Sequence, residues 1–146
     1  MAIPNKATFE KVIKVLQKSM RIQDWNIGIE LITSKELVNK YPNEADEDTQ
    51  AISNRNLRRN YALISINTEY FCDEDENWYD TLVHEMLHIQ ETNYITTSQA
   101  YMSKNGTYFE TIHEQYIDTL QKMFSNICPL EKFIKDNPKI FEKEDE

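Results

Sequence analysis

The stretch TLVHEMLHIQ, residues 81–90, carries two histidines four positions apart, with a glutamate directly after the first: His84, Glu85 and His88. On a helix, at about 100° per residue, the two imidazoles lie some 40° apart on one face, and each can aim a ring nitrogen at one ion about 2 Å away. Glu85 falls about 100° off that axis, so it is no ligand, but it can stand beside a water that the ion activates. Zinc suits such ligands. It brings the pKa of a bound water to about 7, and a carboxylate can then accept the proton as the water attacks a carbonyl. Shuffling this composition gives H-E-x-x-H roughly once in two hundred trials, so the pattern informs without deciding. The bland alternative is a pair of surface histidines on an amphipathic helix.

The rest of the segment weighs against that alternative. Asn77, Asp80, Thr81, Glu91 and Thr92 share the polar arc of the histidines, while Trp78, Tyr79, Leu82, Val83, Met86, Leu87 and Ile89 fill the other side. The helix is thus anchored in a core and presents its histidines on a polar face, as a metal-bearing helix must. A catalytic zinc takes three protein ligands and keeps one position open. The remaining histidine, His113, stands next to Glu114 on a second periodic stretch, Tyr108 to Phe124. There Tyr108, Phe109, Ile112, Tyr116, Ile117, Leu120, Met123 and Phe124 form an apolar side that includes His113. Glu110, Thr111, Glu114, Asp118 and Gln121 form a polar arc. Either His113 or Glu114 can supply the third ligand.

HEMLH followed by Glu114-Gln-Tyr-Ile-Asp118 resembles the gluzincins, zinc metallopeptidases with an H-E-x-x-H motif and an E-x-x-x-D motif on the next helix. The resemblance covers roughly residues 74–124. Most of the chain is similar to the minimal zincin core of small bacterial and phage-encoded metallopeptidases. It implies His84, His88 and Glu114 as zinc ligands, Glu85 as general base, and Asp118 as a hydrogen-bonding partner that fixes the tautomer of a ligand imidazole. His113 is then a core residue, a partner of a ligand, or an imidazole that polarises the carbonyl. Tyr94, Tyr101, Tyr108 and Tyr116 are candidates for stabilising the oxyanion, Tyr101 among them in the loop 93–106 that can cap the cleft. In that family a sheet edge strand holds the substrate extended above the active helix; the hairpin 50–67 is the candidate here. The metzincin pattern fails, because Glu91 and Tyr94 stand where it needs Gly and His.

These residues need elements to hold them. Phe9, Val12, Ile13 and Leu16 repeat at helical spacing within Lys6–Met20, with Asn5 as cap. WNIGIELIT, residues 25–33, alternates as a strand, and Ser34 opens a short helix that stops at Pro42. QAISNR, a turn at NLRRN, and YALISIN read as a hairpin over residues 50–67. A helix is expected over 73–91 with acidic residues in its first turn, where the helix dipole favours them. A polar irregular stretch follows at 93–106, then the helix 108–124 and a last short helix over 129–141. The order implies a single α+β domain over residues 1–146: an N-terminal helix, a small, mostly antiparallel sheet, then the motif helix and the glutamate helix.

Composition sets the outer limits. With 146 residues, 40% of them hydrophobic, the chain can bury a core without disulfides. A net charge of −9 and the lack of a Lys/Arg block argue against nucleic acid as partner. No signal-like start and no membrane-length apolar run occur, so a cytoplasmic protein is expected. Cys72 and Cys128 stand in no metal spacing and read as free thiols, a lone disulfide being the alternative. The expected partner is a peptide or protein substrate, which the acidic surface weakly biases toward basic sequences. The oligomeric state is open. Three rivals remain open: an interaction protein on the same fold with little chemistry, a protease restricted to one regulatory protein, and a helical adaptor without metal.

Overall fold

A computed structural model describes residues 3–72, 77–92 and 106–142, with side chains throughout except at Cys72 and residues 106–112. Helix α1, Lys6–Met20, buries Phe9, Val12, Ile13, Leu16 and Met20 along one stripe. The Asn5 side chain accepts from the Thr8 N–H at 2.8 Å, which satisfies one of the unpaired donors of the first turn. The helix stops at Arg21, in the left-handed region at φ 57°. Strand β1, Asn26–Ile32, leads through a Thr33 cap into α2, Ser34–Lys40. Strands β2, Ala51–Asn56, and β3, Tyr61–Asn67, form the expected hairpin around a short 3₁₀ turn at Leu57–Arg59. That turn closes on Asn60 at φ 46°, and asparagine is among the few side chains that tolerate this region.

The fold is α+β, as the sequence implies, but the sheet is mixed. Its order is β1-β3-β2, with β3 parallel to β1 and antiparallel to β2. The antiparallel expectation therefore holds for one of two pairings. The chain passes through α2 to β2 at the far edge, where it runs opposite to β1, and the hairpin then reverses it so that β3 returns between them, parallel to β1. Central strand β3 buries Ala62, Ile64 and Ile66 completely, and Ser65 and Asn67 with them. The polar pair is accommodated by partners: Ser65 donates to Glu30 at 2.6 Å, and the Asn67 amide donates to the Ser34 hydroxyl at 2.7 Å.

Helix α3, Trp78–Gln90, lies against β2 and α1 and buries Trp78, Tyr79, Leu82, Val83, Met86, Leu87 and Ile89, the whole apolar side read from the sequence. It begins at Trp78 because the Asn77 side chain accepts from the Tyr79 N–H at 2.8 Å. The expected start at Asp73 lies outside the described residues, as do its acidic first turn and the covering stretch with Tyr94 and Tyr101. Leu82 is 0% exposed, and Leu82→Ala is expected to cost about 2–5 kcal/mol, read as a fall in the urea midpoint with unchanged slope.

Helix α4, Gly106–Ile127, extends beyond the expected 108–124 and runs antiparallel to α3. Ile117 anchors it in the core, with Leu120 and Phe124 packed alongside. Tyr116 and Met123, read as part of its apolar side, are instead 50% and 56% exposed. Their apolar arc is wider than the face that α3 covers. The expected last helix divides into α5, Leu130–Asp136, and α6, Pro138–Phe141. Asn137 breaks it at φ −131°, ψ 54°, since the residue before a proline is pushed out of the helical region. Phe133 and Phe141 close the core end of α3 against Tyr79 and Trp78. Among the described residues, no helix is long and apolar enough to cross a membrane.

Candidate metal centre

His84 and His88 project from one face of α3, and Glu114 comes down on them from the antiparallel α4. The Nε2 atoms of His84 and His88 are 3.1 Å apart. Glu114 Oε1 lies 3.0 Å from His88 Nε2, and Glu114 Oε2 lies 3.5 Å from His84 Nε2. Tetrahedral donors about 2.1 Å from one ion stand about 3.4 Å from each other, so the three separations bracket the value a zinc ion needs. Among the described residues this is the group whose His, Cys, Asp or Glu atoms converge closely enough to hold a metal.

The supporting hydrogen bonds fit the same use. His84 Nδ1 lies 3.1 Å from Asp118 Oδ1, one turn beyond Glu114 on α4. A proton on Nδ1, donated to Asp118, leaves the Nε2 lone pair facing the cluster. His88 Nδ1 is buried without a hydrogen-bond partner among the described residues. The ring of His113 packs on that of His88, centroids 5.5 Å apart, so His113 stands beside the group rather than in it. Tyr116, half exposed, is not enclosed by the site. The side chain of Tyr108, all of Tyr101 and the Cys72 thiol lie outside the described residues.

Charge distribution follows from this packing. Hydrogen bonds from the His84 and His88 imidazoles hold the Glu114 carboxyl far below the usual carboxylate range, outweighing its partial burial. Burial works against a charged His84, but Glu114, Glu85 and Asp118 together raise its pKa. A metal ion held there would therefore compete with protons for the same side chains. His113 is shifted the other way, by burial first and then by its neighbours His88 and Arg55.

Glu85 is buried, at 8% exposure, between α3 and β2. Burial pushes its pKa up, against the pull of His88 and His84, a hydrogen bond from Ser53, and the charge of Arg55. Neither Ser53 nor Arg55 is singled out by the sequence motifs. Both lie on β2, which with the preceding Gln50 runs alongside α3 in the same direction. Thr81 donates to Gln50 at 2.7 Å, Ser53 meets Glu85, and Arg55 Nη1 donates to the His88 carbonyl at 3.0 Å. The signal available in QAISNR is its period of two, which puts Ser53 and Arg55 on one face of the strand. A cavity of about 410 Å³ opens beside the cluster, between Gln50, Asp80, Thr81, His84, Glu85 and Asp118. No protein-family model, curated protein or solved structure matches this chain.

Proposed function

We propose that the chain is a zinc-dependent peptidase of the gluzincin type, with His84, His88 and Glu114 as the metal ligands and Glu85 as the general base. The observation that carries this reading is the convergence of three side chains from two helices, with contacts of 3.0, 3.1 and 3.5 Å between them and a buried carboxylate next to them. Zinc bound there supplies Lewis acidity and a water acidic enough to be deprotonated near neutral pH. Glu85 accepts the proton of the attacking water and passes it to the departing amine nitrogen. Its burial supports that role, because a raised pKa moves a carboxylate toward the pH at which it can both take and release a proton. Ser53 lies beside the carboxylate and stabilises its charged form, and Asp118 fixes the His84 tautomer. β2 lies at an edge of the sheet beside α3, in the place where an extended substrate can add as a strand. A buried ionisable group costs stability, and a purely structural or binding role for this helix gives no reason to keep Glu85.

The test is to load the purified full chain with one equivalent of zinc and incubate it with unfolded proteins and with peptide mixtures of differing charge. Fragments are then identified by mass spectrometry. Cleavage that needs zinc and stops with a chelator is the expected result. Stoichiometric zinc without cleavage of any substrate would leave a metal-binding interaction protein. Asp118→Asn is expected to weaken zinc binding by about 10- to 100-fold without unfolding the chain, as measured by competition with a chelating dye. An unchanged affinity would remove Asp118 from the site.

A further inference from the structure

Arg55 brings a guanidinium to the metal cluster from the open edge of the sheet. The residue is exposed, yet its charged end is packed closely enough on α3 that burial lowers its pKa. Nη1 donates to the His88 carbonyl at 3.0 Å. That carbonyl belongs to the last turn of α3 and also receives the Thr92 hydroxyl at 2.9 Å. It is thus satisfied without Arg55, and capping the helix end does not account for an arginine here. One of five N–H donors is used in this anchor, which leaves a planar fork held in place beside the cluster.

The carboxylates around it are already engaged or held apart. Glu85, Glu114 and Glu44 attract the guanidinium, but among the described residues Arg55 forms an ion pair with none of them. Glu114 is committed to the two imidazoles and Glu85 to Ser53. A cation with no ion pair among the described residues of a chain of net charge −9, next to a candidate catalytic centre and on the strand an extended peptide would pair with, is suited to an anion from outside.

We propose that Arg55 recognises a carboxylate of the substrate close to the bond to be cut, so that the cleft selects for that group. The proposal rests on the peptidase reading. A peptide's terminal α-carboxylate and an Asp or Glu side chain offer the same planar pair of oxygens, and the guanidinium fork can grip either in bidentate fashion.

The full chain carrying Glu85→Gln, loaded with zinc so that probes bind without being cut, is titrated with three peptides: acetyl-trialanine as the free acid, the same peptide as its amide, and acetyl-Ala-Glu-Ala amide. The readouts are the side-chain Nε–H resonance of Arg55 and the dissociation constants. A saturable shift with the free acid only assigns a terminal carboxylate, and a shift with the glutamate peptide assigns a side chain. Either supports the proposal, with a preference of about tenfold or more over the neutral amide. Arg55→Gln is expected to bring that preference close to one, and Arg55→Lys to retain part of it. No response of the Arg55 resonance to either carboxylate overturns the proposal. So does a preference that survives Arg55→Gln, since the ion alone then explains it. Zinc content is measured on the same samples. A chain that takes up no zinc refutes the peptidase reading, whereas a zinc-loaded chain whose Arg55 ignores carboxylates refutes only this assignment.

Discussion

Glu85→Gln is expected to lower kcat/KM for peptide hydrolysis by about 10²- to 10⁴-fold while zinc stays bound. Glutamine has the shape of glutamate and can still meet Ser53, but it cannot accept a proton at neutral pH. The substitution therefore removes proton transfer and little else. His84 and His88 lie on either side of Glu85 along the chain, and neither depends on it for its ring position; their partners are Asp118 and Glu114. Metal content should remain at one ion per chain. A second, opposite effect is expected on stability. Burial disfavours the charged form of Glu85, so a neutral isostere relieves a cost that the folded chain carries at neutral pH. The metal-free variant should melt at or above the temperature of the wild type. Single-turnover cleavage, metal analysis and thermal melts on one preparation separate these effects. Equal cleavage by variant and wild type would take the role of base away from Glu85.

Glu114→Ala is expected to weaken zinc binding by more than the about 100-fold that marks the loss of a residue one step out from a ligand, while His113→Ala leaves the affinity within about tenfold. Glu114 brings one oxygen to each imidazole, so alanine there removes the proposed third ligand and the ion pairs between α4 and α3. His113 packs its ring against that of His88, at 5.5 Å between centroids. Its loss opens space beside a ligand without removing a donor atom. Competition with a chelating dye at fixed pH gives both affinities. The reverse ranking would move the third ligand to His113 and dissolve the pairing of the two motifs. Equal, small effects of both variants would reduce the cluster to a charged contact between helices.

Much of the site is legible before folding because it is written in helix periods. His84 and His88 share a face, and Glu85 leaves it, for the same reason that the seven apolar residues of α3 form its buried side: a fixed turn of about 100° per residue. Glu114 and Asp118 are likewise one turn apart, which lets them meet His88 and His84 in antiparallel order. The exact start of α3 is less legible, since acidic residues at 73–76 and the Asn77 side chain compete as signals, and the observed cap is Asn77. Tyr116 and Met123 mislead for a related reason: period identifies an apolar arc, but not how much of it a neighbour will cover.

The sequence by itself determined most of the helices and strands, and the faces of α3 and α4 on which His84, His88, Glu114 and Asp118 stand. These depend on contacts within a few residues along the chain, where backbone geometry leaves little choice. Only the tertiary structure decided that β3 pairs in parallel with β1, that Glu85 is buried against β2, and that Arg55 reaches the carbonyl of His88. Those are contacts between segments distant in sequence. They are set by which surfaces exclude water together once the layers have closed. Local period carries no information about that.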